Sequence, residues 1–494
     1  MLFNSIHYLF FFPMVVLLYF TVPQKCKMYW LLVASYYFYM SWNPRYGVLL
    51  FSSTLITWLC GLALERTKRC CKKKRQDFIK KLVIYVSLFI NFGVLFYFKY
   101  INFFTHNINA LFNKMGISVQ YPTFDILLPV GISFFVFQAT GYTIDVYRDE
   151  IRAEKNFFRY ALFVAFFPQL VAGPIERSKH LLTQLSKDDI RFDVNRAKNG
   201  LLIMAYGLFM KMVVADNIAK IIDPVFKVPD NYSGMICLFA AVLFALQIYC
   251  DFDGYTQIAI GSAEVLGIEL NQNFDTPYLG TSVRDFWKRW HISLTSWFRD
   301  YLYIPLGGNR KGTIRKYINT MIVFACSGLW HGAAWHYIAW GGLNGLLCVV
   351  EDVVSKGKLS FLKTDLFIHN VIQRIITFIM IDITWIFFRA SSFRGALHIL
   401  KKIIDDFNIA WLVNFGYVSL FTKDVYTMAV IMTSILIVLM VDIAKYYGVD
   451  IKGFIFQQRL LSRWIIYAGI LLMILYWGNY GAGHKQTQFI YFQF

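Results

Sequence analysis

Two histidines set among tryptophans carry the chemistry this sequence could perform. His291 lies in FWKRWHISLTSWFRD (286–300) and His331 in GLWHGAAW (328–335), on either side of the basic turn LGGNRKG (306–312). A neutral imidazole in a low-dielectric pocket has a depressed pKa and can act as a general base toward a hydroxyl. An ionisable group at membrane depth is a functional candidate by default. Gly328, Gly332, Gly341 and Gly342 remove side-chain bulk around His331 and allow close approach by a helix or a ligand. The competing reading places His331 in an interfacial aromatic belt with Trp330, Trp335 and Trp340. On these residues alone, both readings stand.

His291 also has two readings. A helix through 286–300 would set Trp287, His291 and Leu294 on one face and turn Lys288 and Arg289 away. That is either an amphipathic interfacial helix or the floor of a cavity whose basic side holds an anionic cofactor. Arg284, Lys288, Arg289 and Arg299, with Asn309 and Arg310 of the turn, are the candidate phosphate-binding residues. The planar guanidinium fork matches phosphate oxygens, and the turn adds backbone N–H donors. The turn is not a P-loop, because the spacing is wrong and no Ser or Thr follows a Gly-Lys pair.

Other constellations are weaker. Asp251 and Asp253 form a D-x-D of the kind that holds a divalent metal in many sugar-nucleotide transferases. The plainer reading is a charged helix end at Gly254, and no metal is expected. Asp145, Asp216, Asp382 and Asp442 sit in or beside apolar runs and are expected to pair with basic groups or hydroxyls. His336 falls on a different helix face from His331 and reads as structural. The eight cysteines include no C-x-x-C, so neither a zinc site nor a disulfide framework is supported. The Cys70–Cys71 pair in its lysine-rich loop is a weak S-acylation candidate.

These groups need a membrane scaffold to position them. The 494 residues are 57% hydrophobic and 19% aromatic, with mean hydropathy +0.48, against about 45–50% apolar in a soluble domain. The excess is spread along the chain, which predicts an all-α polytopic membrane protein. Runs long enough to cross are 6–22, 28–44, 47–64, 82–104, 127–146, 199–219, 233–250, 318–350 (in one piece or two), 367–388, 425–446 and 463–480. That is about eleven crossings. The first run has no basic region before it and reads as a membrane helix rather than a cleaved signal.

The net charge of +19 sits in short loops. Such loops stay on the cytoplasmic side, and no basic domain exists outside the apolar runs, so no nucleic-acid partner is expected. The loop at 65–81, ERTKRCCKKKRQDFIKK, fixes the frame: 147–198 and 271–317 are then cytoplasmic and the N-terminus is outside. Two cytoplasmic segments are irregular. Residues 157–176 are apolar but broken by Pro168, Gly173 and Pro174; 286–307 are aromatic yet charged. Broken backbone at membrane depth is tolerated only inside protein or beside a polar cavity, so both read as re-entrant helices around a cavity reached from the cytoplasm. The chain reads as a single domain, 1–494.

Taken with PVGISFFVFQATGYTIDVYR (129–148), FFPQLVAGPIER (166–177), QIYCDFDGYTQIAIGSAEVLGI (247–268), WIFFRASSF (385–393) and FIYFQF (489–494), the two histidine segments resemble the membrane-bound O-acyltransferase (MBOAT) family. They are most similar to its bacterial branch, which includes alginate O-acetyltransferase and the peptidoglycan O-acetylation membrane protein. The signature core spans about 120–350. The resemblance implies transmembrane and re-entrant helices around a central tunnel in the bacterial cytoplasmic membrane. It implies that His331 is catalytic and that His291 is the second signature position. It further implies acetyl transfer from cytoplasmic acetyl-CoA to an extracytoplasmic polysaccharide, completed by a separate serine-hydrolase-like acetyltransferase. A sister group passes D-alanine from an acyl carrier protein to teichoic acid, so that donor remains an alternative. A transporter without chemistry of its own and a metal-dependent glycosyltransferase using Asp251 and Asp253 are the alternatives from other classes.

Overall fold

The computed structural model describes residues 1–70, 73–171, 173–187, 189–356, 367–408, 410–411, 425–480 and 489–490. Cys71, and residues 491–494 of the FIYFQF ending, lie outside the described residues. Every regular element among the described residues is helical.

The chain forms two compact units. The first comprises residues 1–202 and 259–271 and contains α1 (Ile6–Thr21), α2 (Gln24–Met40), α3 (Pro44–Cys70), α4 (Lys73–Leu95), α5 (Ile101–Lys114), α6 (Ile132–Tyr147), α7 (Phe157–Ala165), α8 (Phe167–Leu170), α9 (Ser178–Leu185) and most of α10 (Val194–Leu208). The second comprises 203–258 and 272–494. It contains α11 (Asp216–Lys227), most of α12 (Gly234–Val265), α13 (Val283–Arg289), α14 (Ile292–Phe298), α15 (Thr313–His331), α16 (Trp335–Lys356), α17 (Phe367–Arg389), α18 (Phe393–Asp405), α19 (Val425–Tyr446), α20 (Ile451–Gln457) and α21 (Leu460–Trp477).

Eight described helices or helix runs are long and apolar enough to cross a membrane, and Ile6–Thr21 is a shorter apolar helix. The eleven expected runs differ from these at identifiable places. The run 127–146 becomes α6, which is only 16 residues long and buried along almost its whole length. A helix apolar on all sides is as much the mark of a protein core as of a lipid span. The run 318–350 resolves into two helices, α15 and α16, broken at Gly332–Ala334.

The two irregular segments are short helices, as their breakers require. In the first unit, α7 and α8 bury every residue from Tyr160 to Leu170, which satisfies the demand that broken backbone be covered by protein. In the second unit, 283–303 becomes α13, α14 and a π-helical turn, Arg299–Tyr303.

Several buried charges in each unit are held by partners. In the second, Lys211 lies in a π-helical stretch, Phe209–Ala215, and its ammonium meets Asp216 at 2.8 Å and Asp251 at 2.5 Å. Asp251 also accepts the Ile490 backbone N–H at 2.7 Å. Asp442 accepts the Tyr249 hydroxyl, and in the first unit Asp145 accepts that of Ser178. The expected pairings therefore hold for Asp145, Asp216 and Asp442. Asp382 differs: its Oδ1 is buried without a hydrogen-bond partner among the described residues.

Candidate active site

The second unit contains a cavity of about 450 Å³, within the size range of small-molecule sites, and His291 and His331 both line it. The histidines form its buried end, at 1% and 3% exposure. Lys288, Arg299 and Asn309, all exposed, form its mouth. Trp287, Trp290, Leu294, Phe298, Val323 and Phe324 also line it.

His291 does not continue a helix, contrary to the amphipathic reading of 286–300. It sits between α13 and α14 at φ 44°, ψ 53°, a left-handed conformation that costs a non-glycine residue of order 1–3 kcal/mol. Asn273 holds the break. Its backbone carbonyl accepts Ile292 N–H at 2.9 Å, and Asp275 N–H donates to the Arg289 carbonyl at 2.9 Å. These bonds take the chain out of its helical ladder. The Asn273 side-chain Oδ1 then accepts from Ser293 Oγ (2.9 Å), Ser293 N (3.3 Å) and His291 Nδ1 (3.0 Å).

The Ser293 backbone N–H can only donate, which identifies the Asn273 atom as oxygen and fixes Nδ1 of His291 as the protonated nitrogen. Nε2 therefore carries the lone pair. His291 lies outside the candidate spans, and burial, followed by the neighbouring His331, pushes its pKa well below the ordinary histidine value. It is neutral at pH 7. Trp287 and Leu294 still line the cavity with it, but so does Lys288, because the kink undoes the face assignment.

His331 is the last residue of α15. Its Nδ1 lies 2.6 Å from the Ser327 carbonyl, which can only accept, so Nδ1 is protonated and Nε2 again holds the lone pair. The neighbouring turn is built by glycine. A Cβ at Gly328 would lie 2.2 Å from the Tyr337 carbonyl oxygen, one at Gly332 would lie 2.1 Å from the Tyr337 ring, and one at Gly341 would lie 2.2 Å from the Phe324 carbonyl oxygen. Three of the four glycines thus let α15 and α16 approach closely; Gly342 faces open space.

The aromatic-belt reading fits only Trp335, which is 59% exposed. Trp330 and Trp340 are 4% and 1% exposed. Trp330 packs edge-on against both histidines, with centroids 5.8 Å from His291 and 4.9 Å from His331; Trp340 and Phe388 close the other sides of His331 at 4.7 and 5.6 Å. His336 is not among the lining residues; its Nδ1 lies 3.1 Å from the Phe387 carbonyl.

Of the candidate phosphate-binding residues, Arg284, Lys288, Arg299 and Asn309 line the cavity. Arg289 and Arg310 do not. Arg289 is held by Asp285 at 3.1 Å and Asp275 at 3.5 Å, and lies over the Tyr446 ring. The D-x-D is not at a helix end. Both carboxylates are buried inside α12, Asp251 on Lys211 and Asp253 on Gln257 at 2.9 Å.

Three lining or supporting residues escaped the sequence reading. In the sequence Lys316 is one more charge of the basic segment 271–317. Asp352, a carboxylate at the end of an apolar run, meets the same criterion that singled out Asp442. Nothing in NQNFDTP marks Asn273.

Comparison with known proteins shows the family of the chain. A model of the membrane-bound O-acyltransferase family matches residues 50–393. The chain is 35% identical over 404 residues to a probable alginate O-acetylase of Pseudomonas putida, spanning 82% of this chain and 79% of that protein. It is 34% identical over 435 residues to a peptidoglycan O-acetyltransferase of Helicobacter pylori, spanning 82% and 80%. A teichoic acid D-alanyltransferase of Streptococcus thermophilus is 28% identical over 245 residues, spanning 46% of this chain and 58% of that protein. With its apolar helices and this match, the chain is a multi-pass membrane enzyme, an O-acyltransferase belonging to the membrane-bound O-acyltransferase family.

Proposed function

We propose that this protein takes an acetyl group from cytoplasmic acetyl-CoA and moves it across the bacterial cytoplasmic membrane for O-acetylation of an envelope or extracellular polysaccharide. The observation that carries the reading is the shared cavity: two imidazoles, each with its lone pair on Nε2, line one pocket with a cationic mouth. His331 Nε2 takes the proton of an acceptor hydroxyl as that oxygen attacks the thioester carbonyl. The C–S bond then breaks, and the departing thiolate recovers the proton from the imidazolium. Thioester and alcohol become ester and thiol. His291, neutral, accepts a hydrogen bond at Nε2 and positions the donor. Arg284, Lys288, Arg299 and Asn309 hold its phosphates; Arg289 is already paired with Asp285 and Asp275 and takes no part.

The basic loops support a mouth on the cytoplasmic side. Asp251 is already occupied by Lys211 and Ile490 N–H, so the reading assigns no metal to the D-x-D, and activity is expected to survive chelation. The acceptor class follows from the named alginate and peptidoglycan relatives, and a separate extracytoplasmic serine-hydrolase-like acetyltransferase completes transfer. The teichoic acid D-alanyltransferase match favours a second donor, a D-alanyl thioester on a carrier protein, but over a shorter stretch.

The test is incubation of the purified protein in liposomes with acetyl-labelled acetyl-CoA and, separately, with a D-alanyl carrier protein. Acetyl-CoA consumption with label passing to an acceptor hydroxyl supports the acetyl reading. Consumption of the carrier thioester alone replaces it with the second. Inertness toward both overturns the donor assignment.

A further inference from the structure

Among the described residues lining the cavity, Asp352 is the single carboxylate. It is 4% exposed. Its Oδ1 meets Arg284 Nη2 at 2.9 Å and Lys316 Nζ at 2.7 Å, and its Oδ2 accepts the Tyr317 hydroxyl at 3.1 Å. Arg284 belongs to α13, Lys316 and Tyr317 to α15, and Asp352 to α16, so one carboxylate ties three helices together beside the mouth.

The exposures order these groups. The Arg284 and Lys316 side chains are 43% and 23% exposed, and that of Asp352 is 6%. The carboxylate therefore lies behind the cations and does not cover them. Arg284 spends Nη2 on Asp352 and on the Cys348 carbonyl at 3.4 Å. A guanidinium has five N–H donors and an ammonium three, so both cations keep donors for a further anion. Two cations on one carboxylate leave one net positive charge, part of which Glu351, accepting the Arg284 backbone N–H at 3.1 Å, offsets. Cations whose nitrogens share a single oxygen sit side by side, the spacing that two oxygens of one phosphate can bridge.

We infer that Asp352 is a positioning residue for donor recognition: it holds Arg284 and Lys316 as a pair that grips one phosphate of the thioester donor. The inference rests on the CoA-donor reading above. A carboxylate that competed with the donor would sit on the exposed side of the cations, which the burial order contradicts.

The test compares acetyl-CoA with acetyl-pantetheine, a thioester that carries no phosphate, in wild type, Asp352→Asn and Lys316→Met. The readout is the ratio of kcat/KM for the two donors. Each substitution is expected to lower that ratio by about tenfold, mostly through KM for acetyl-CoA, the size of one lost charge-assisted contact. A merely structural role lowers both donors together and leaves the ratio unchanged, which overturns the inference. A fall in KM for acetyl-CoA in Asp352→Asn overturns it in favour of competition. Lys316→Met leaves the Asp352–Arg284 pair in place, so it decides the matter if Asp352→Asn fails to fold. Wild type that uses no acetyl-CoA removes the donor reading and this inference together; wild-type use with unchanged ratios in the variants removes this inference alone.

Discussion

Asn273→Ala removes one oxygen that accepts three hydrogen bonds in a site 1% exposed. The Ser293 hydroxyl can rotate to another acceptor; the Ser293 backbone N–H and His291 Nδ1–H cannot. A buried donor left without a partner costs about 1–3 kcal/mol. For His291 that cost weighs against the tautomer with the proton on Nδ1. Nε2 is buried as well, so a proton moved there gains no acceptor; the ring instead turns away from its held position, and the orientation that keeps the Nε2 lone pair on the cavity becomes about 10–100-fold rarer, at about 1.4 kcal/mol per factor of ten. Acyl transfer by Asn273→Ala should fall by that order at pH 7.

Asn273→Asp restores an acceptor but places a carboxylate against the imidazole. An opposite charge favours imidazolium, so the variant should regain rate at high pH and lose it as pH falls. In the wild type the pKa shift has the opposite sign. His291 has a folded-state pKa well below 6.5, so it stays neutral as pH drops through about 6.5, where the unfolded chain begins to take up a proton. Its stabilising contribution is present above that value and declines below it. The assay is acetyl-CoA turnover from pH 5 to 8, with detergent-solubilised melting curves alongside. Full activity in Asn273→Ala, or an acid limb in Asn273→Asp that coincides with wild type, would refute the reasoning.

Two further substitutions probe the scaffold. Gly328→Ala drives a methyl to within 2.2 Å of the Tyr337 carbonyl oxygen; α15 and α16 must separate, at about 1–3 kcal/mol, and the melting temperature and activity should drop together. Lys211→Met leaves Asp216 and Asp251 buried beside each other without their cation, a loss of about 3–5 kcal/mol. The charge-balanced triple variant with Asp216→Asn and Asp251→Asn should recover most of it in the same melt.

The membrane scaffold was legible because apolar runs and basic loops obey rules that need no tertiary knowledge. The histidines were legible because charge and tryptophan rarely coincide with glycine at membrane depth. What escaped was set by packing. The run 127–146 is as apolar as a lipid-facing helix, yet it is a 16-residue helix buried by the rest of its unit. The kink at His291 follows from Asn273 reaching across 18 residues, a distance over which no periodicity carries information. The face assignment of Lys288 failed with it. Asp352 lay within reach of the sequence reading: a carboxylate closing an apolar run, next to a basic segment that had to be neutralised somewhere.

The central claim is that His331 moves the proton of the acceptor hydroxyl. The direct measurement is steady-state acyl transfer by His331→Ala and His331→Gln, each shown to reach the membrane and to bind acetyl-CoA as wild type does. Loss of the base should lower kcat by on the order of 10²–10⁴, the contribution of a general base, with donor affinity retained. Transfer at wild-type rates by either variant would contradict it.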